Sequence, residues 1–148
     1  MFEAEKPAEI WTRWLIAACV IVMLYGLSLM VAPQAMLGVF SLIYFSSRDH
    51  FAAFPAEARD YIVIAHGVLG SVTFGWGLTL LFITLGPFRR GSAEGWRMLA
   101  FSLIAWSVPE ALFSVWMGSI PNLAFSLAFG LLFIAPLVAT RGIGAKTP

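Results

Sequence analysis

Apolar positions in this chain fall in four long blocks rather than on one face of a helix or in strict alternation. Residues 14–32 carry no charge, and at 1.5 Å per residue they cover roughly 28 Å, close to the hydrocarbon thickness of a bilayer. Residues 62–85 form a second run whose one titratable member is His66. Residues 98–118 form a third, interrupted by Glu110 and Pro109, and residues 123–140 a fourth. The boundary chemistry agrees with helices: Pro33 stops the first run, Pro55 and Glu57 suit the start of the second, Pro121 and Asn122 precede the fourth and Arg141 closes it. The pattern predicts an all-α, integral membrane four-helix bundle, a single membrane domain over residues 1–148.

The one long connection, residues 33–60, begins with AMLGVFSLIYF at 35–45, which is apolar but too short to cross. It reads as an extra short interfacial or re-entrant helix in the first, outer loop, or as an amphipathic connector packed on the bundle. The first ten residues hold three acids and one lysine, so they lack the basic segment of a cleavable signal, and the run after them is expected to remain as an anchor.

Composition narrows the function classes. The chain has 148 residues, 60% hydrophobic and 11% charged, with mean hydropathy +0.87. A soluble domain carries about 25% charged residues. A net charge of +1 offers no basic face for nucleic acid. The lone Cys19 excludes an internal disulfide and the paired thiols of a thiol oxidoreductase. Basic residues set the orientation: Lys6, Arg13, Arg89, Arg90, Arg97, Arg141 and Lys146 share one side of an alternating four-span chain, against Arg48 and Arg59 on the other. By the positive-inside rule both termini are cytoplasmic and the 33–60 loop is periplasmic or extracellular. Trp11, Trp14 and Trp96 would anchor the inner interface and Trp116 the outer.

Glu110 is the costliest residue in the apolar runs, because a carboxylate near the bilayer centre opposes insertion by roughly 2.5 to 3.5 kcal/mol. Trp106, Ser107 and Ser114 lie beside it at helical spacing, and Pro109 should kink the helix there. Counting residues from the span ends puts Glu110 roughly 12 Å and His66 roughly 9 Å from the outer boundary. The expected site is therefore a polar layer of Tyr25, His66, Glu110 and Ser126, with Trp106 as a wall. These side chains either hold the bundle in register or line a cavity for a small or amphiphilic ligand.

Gly67, Ser71, Gly75 and Thr79 recur every four residues, with His66, Gly70, Thr73 and Gly77 as a neighbouring stripe, which predicts close helix packing. Asn122, Ser126 and Gly130 give the fourth run a matching small face. His50, beside Asp49, reads as an interfacial residue rather than a metal ligand. No cofactor is implied; haem would need two histidines on spanning helices, and a chlorophyll-type pigment on His66 is the remaining alternative. No zinc-protease, P-loop, dinucleotide or nucleophile-elbow motif is present.

At ARDY (58–61), GVLG (67–70), GW (75–76), GPFRRG (86–91) and SVPEALFSVWMG (107–118) the chain resembles small four-span bacterial membrane proteins of unknown function, DoxX-like and related groups. That resemblance implies a bacterial inner membrane and the fold, but no activity. The expected role is a non-enzymatic accessory subunit of a larger membrane complex or a homo-oligomeric bundle. The alternative is a binder, carrier or enzyme for a hydrophobic molecule or lipid at His66 and Glu110.

Overall fold

A computed structural model describes residues 7–48 and 50–145; Lys6 and Lys146, two of the cations used for orientation, and Asp49, the neighbour of His50, lie outside the described residues. Among the described residues the chain is helical, with no strand. Four helices are long and apolar enough to cross a membrane: α1 (Glu9–Val31), α3 (Ala56–Ile83), α4 (Ala93–Trp116) and α5 (Ile120–Ala139). The shorter α2 (Pro33–Phe45) follows α1, and a final turn of helix, α6 (Arg141–Gly144), follows α5. Each long helix starts before its uncharged run. In α1 the extra turn holds Glu9 and Arg13, paired at 2.7 Å across one helical turn.

The chain divides into two compact units, residues 1–20 with 79–148, and residues 21–78. In the first, α3 ends in a widened turn over Thr84–Phe88, where Gly86 leaves helical geometry (φ −93°, ψ −105°) ahead of Pro87. The Arg89 N–H reaches back to the Thr84 carbonyl at 3.1 Å, and the Thr84 hydroxyl donates to the Leu80 carbonyl at 2.8 Å, so the orphan groups of the helix end are used locally. Ser92 caps α4 by accepting from the Gly95 N–H. Gly95 is required there: a Cβ would sit 2.6 Å from the Phe88 nitrogen.

A three-residue turn with Gly118 at φ +65° joins α4 to α5. The buried residues are Leu99, Leu103 and Ser114 on α4, and Ser126, Gly130, Phe133 and Leu137 on α5. Two indoles complete the helix chemistry. Pro136 has no N–H, so the Leu132 carbonyl lacks its helical donor; the Trp14 indole N–H supplies one at 2.8 Å. The Trp96 indole N–H donates to the Leu137 carbonyl at 3.1 Å, in the last turn of α5, and its ring lies directly on Gly144.

In the second unit the C-terminal part of α1 meets α3 through glycine. A Cβ at Gly26 would lie 2.6 Å from the Phe74 nitrogen and 2.7 Å from the Gly70 carbonyl oxygen. Gly70 and Gly77 face the same helix, against Gly26, Leu29, Met30 and against Val22, Met23 respectively. Thus the stripe of Gly70 and Gly77 makes the close approach. At Gly67 and Gly75 a Cβ would meet nothing within 4 Å, and Ser71 is exposed. Seven residues, two full turns, separate Gly70 from Gly77, and that spacing keeps them on one seam. The segment after α2 is a short 3-10 turn, His50–Ala53, in which His50 stacks on Phe45 (ring centroids 3.9 Å) beside Phe51 and Phe54.

Candidate functional site

Glu110 sits on α4 one turn before Ser114, and the tight turn at 117–119 brings the first turn of α5 back beside both. The Asn122 amide donates to Glu110 Oε1 at 2.5 Å and to Ser114 Oγ at 2.7 Å. The Ser114 hydroxyl in turn lies 2.9 Å from the Glu110 carbonyl oxygen and 3.3 Å from Oε1. This triangle ties α4 to α5 with polar groups where the surrounding chain is apolar. Its other carboxylate oxygen, Oε2, is buried and is the one side-chain polar atom so enclosed, among the described residues, with no hydrogen-bond partner. One carboxylate oxygen is thus held by two side chains, and the other is an unspent acceptor.

Trp106, one turn before Glu110, packs edge-on against Phe129 (5.7 Å), which stacks on Phe125 (5.8 Å). These rings form an apolar neighbourhood on the same two helices. Ser126, one turn beyond Asn122, is 6% exposed. Pro109 lies inside the continuous helix α4.

Tyr25 and His66 belong to the other unit. The His66 ring nitrogen Nδ1 is 2.8 Å from the Ile62 carbonyl of its own helix, and its ring lies 5.5 Å from that of Phe40 on α2. Paired with a carbonyl, Nδ1 carries the proton, leaving Nε2 as the nitrogen able to meet another group. Tyr25 is half-buried, and its carbonyl accepts from the Ser28 hydroxyl at 2.7 Å. No group of three or more metal-binding side chains occurs among the described residues.

Asn122, whose place in the sequence suits a helix start and a small face, is the residue that joins the two helices at Glu110 and Ser114. Its signal was present: an amide in the first turn of a span, following a short turn, falls level with the last turns of the preceding one. On α3, a Cβ at Gly67 or Gly75 would meet nothing within 4 Å, and Ser71 is exposed.

No protein-family model, curated protein or solved structure matches the chain.

Proposed function

We propose that the chain is an integral protein of the bacterial inner membrane that crosses it four times with both termini cytoplasmic, and that its role is non-catalytic association with another transmembrane helix. α2 would lie at the outer interface, with Val39, Leu42, Ile43 and Phe45 outward. Membrane residence is supported by how little of the spans is covered: 17% of the apolar window of α4 is buried, with Phe101, Leu112 and Val115 each at least 65% exposed. Lipid accepts that surface and water does not.

The observation that carries the association reading is the open face of α3. Glycine in a helix interior costs about 0.5–1 kcal/mol relative to alanine. Gly26, Gly70 and Gly77 offset that cost by close helix approach, whereas a Cβ at Gly67 or Gly75 would meet nothing within 4 Å. Small residues at four-residue spacing let a second backbone come near, which in lipid is the main source of helix affinity. The partner is a second copy of this chain or a helix of a larger complex.

Two differently tagged copies, co-expressed and purified in mild detergent, test this. Wild-type copies should capture each other or a common partner, and Gly67→Leu with Gly75→Leu should abolish capture while Val68→Leu with Val72→Leu leaves it intact. A strictly monomeric wild-type particle without partner, or capture unaffected by the glycine substitutions, overturns the reading.

A second reading rests on the unpaired Glu110 Oε2. An amphiphile presenting an N–H or O–H donor to that oxygen, with its apolar part against Trp106 and Phe129, would complete the carboxylate's hydrogen bonding. It predicts that Glu110→Gln loses a co-purifying amphiphile, seen by mass spectrometry, while the fold survives.

A further inference from the structure

At the end of the first unit that carries the 84–92 turn, a cavity of about 340 Å³ is lined by Pro7, Glu9 and Thr12 from the start of α1 and by Arg89 and Arg90 from the turn. Three features make it a place for an anion. The two arginines are exposed, and among the described residues neither makes an ion pair. Among the described residues the one carboxylate in the lining, Glu9, already accepts from the Arg13 guanidinium at 2.7 Å. Thr12 is 5% exposed and lines the cavity, which places a hydroxyl donor there.

The site also lies at the N-terminal end of a 23-residue helix, where free N–H groups and the helix dipole favour negative charge. Trp11 and Trp14, ring centroids 6.3 Å apart, sit in the same turns of α1 and suit the headgroup level of a bilayer. Arginine forks match the paired oxygens of a phosphate.

We propose that this cavity binds the phosphate of an anionic phospholipid headgroup, with Arg89 and Arg90 as the charge partners and the Thr12 hydroxyl as an additional donor. The proposal rests on the membrane reading above and goes beyond it, since it assigns one specific lipid position. The acyl chains run along α1 toward the exposed Ile10 and Trp14.

The full chain is reconstituted in nanodiscs of phosphatidylglycerol and phosphatidylcholine in equal parts, then released for native mass spectrometry. The wild type should retain one phosphatidylglycerol per chain. At roughly fivefold per arginine at a membrane surface, Arg89→Gln with Arg90→Gln should weaken retention about thirty-fold, and Thr12→Val should weaken it less. Removing two cations outside the cavity, Arg97→Gln with Arg141→Gln, should leave it intact.

Equal loss from both double variants, or retention of phosphatidylcholine as readily as phosphatidylglycerol, overturns the proposal. Displacement of the lipid by millimolar inorganic phosphate, with phosphate alone protecting the wild type against heating, assigns the site to free phosphate and overturns the lipid source. If the variants still enter nanodiscs, the membrane reading stands whatever the lipid result; a wild type that enters none removes both.

Discussion

Adding one methyl group at Gly26 tests the account of α1 against α3 at a single point. The new Cβ would stand 2.6 Å from the Phe74 nitrogen, 2.7 Å from the Gly70 carbonyl oxygen and 3.1 Å from the Phe74 Cα, all backbone atoms that no rotamer change can move. Carbon contacts are comfortable at about 3.5–4.0 Å, so the two helices must part by about 1 Å along this seam. A gap of that size forfeits about a quarter to a half of the dispersion energy of each neighbouring contact, and overpacking of this kind costs about 1–3 kcal/mol. Alanine returns about 0.5–1 kcal/mol through helix propensity. At mid-range the net loss is about 1 kcal/mol, a fall of about 3 °C in melting temperature for a chain of this size.

Gly67→Ala is the control, because nothing lies within 4 Å of its new methyl and only the propensity gain remains. It should melt about 1–3 °C above the wild type. The native thiol of Cys19, fully buried, reports unfolding to a thiol-reactive dye, with helical circular dichroism as a second probe. The measurement is made at dilution that keeps the chain monomeric in detergent, so partner docking on α3 does not enter. A Gly26→Ala protein as stable as the wild type, or a Gly67→Ala protein weakened equally, would refute the assigned seam.

Two double-mutant cycles probe the first unit. Glu110→Leu and Asn122→Leu, singly and together, should show a favourable coupling of about 0.6–1.7 kcal/mol between the pair, read from thermal unfolding; additive effects would contradict the Asn122 to Glu110 hydrogen bond. Trp14→Phe should cost about 1 kcal/mol by leaving the Leu132 carbonyl without a donor, and less in a Pro136→Ala background, where residue 136 regains its N–H; an unchanged cost would show that the indole contributes by packing alone.

How much of this was legible in the sequence varied with the range of the interaction. The four long apolar runs identified the four long helices, because apolar length is a local property. Their starts were placed three to six residues inside the true ones: residues 14–32 became Glu9–Val31, and 62–85 became a helix from Ala56 running through Ile83 into the turn ending at Phe88. The uncharged length measures what lipid tolerates, whereas a helix continues through charged turns wherever its backbone is satisfied, as at Glu9 and Arg13.

Glu110 and Ser114 were readable as one helix turn, but their partnership with Asn122 depends on the three-residue turn that aligns α4 and α5. Of the two glycine stripes on α3, no local signal told which would meet α1. The choice lies in the reciprocal Gly26, whose own chain neighbours are ordinary apolar residues. The motif GPFRRG proved to be a turn device, with Gly86 and Pro87 ending α3 and Gly91, at φ +76°, turning the chain toward α4. The DoxX-like resemblance drew on such structural residues and carried no chemistry with it.

The central claim, four crossings with both ends on one side, is tested most directly by two-sided cysteine labelling in cells. In a Cys19→Ser background, single cysteines are placed at Ser47, Gly91, Ser119 and Ala145 and exposed to a membrane-impermeant maleimide before and after lysis. The account predicts that 47 and 119 label in intact cells with an opened outer membrane, and that 91 and 145 label only after lysis. Equal labelling of all four in intact cells, or recovery of the folded chain in the soluble fraction without detergent, would contradict it.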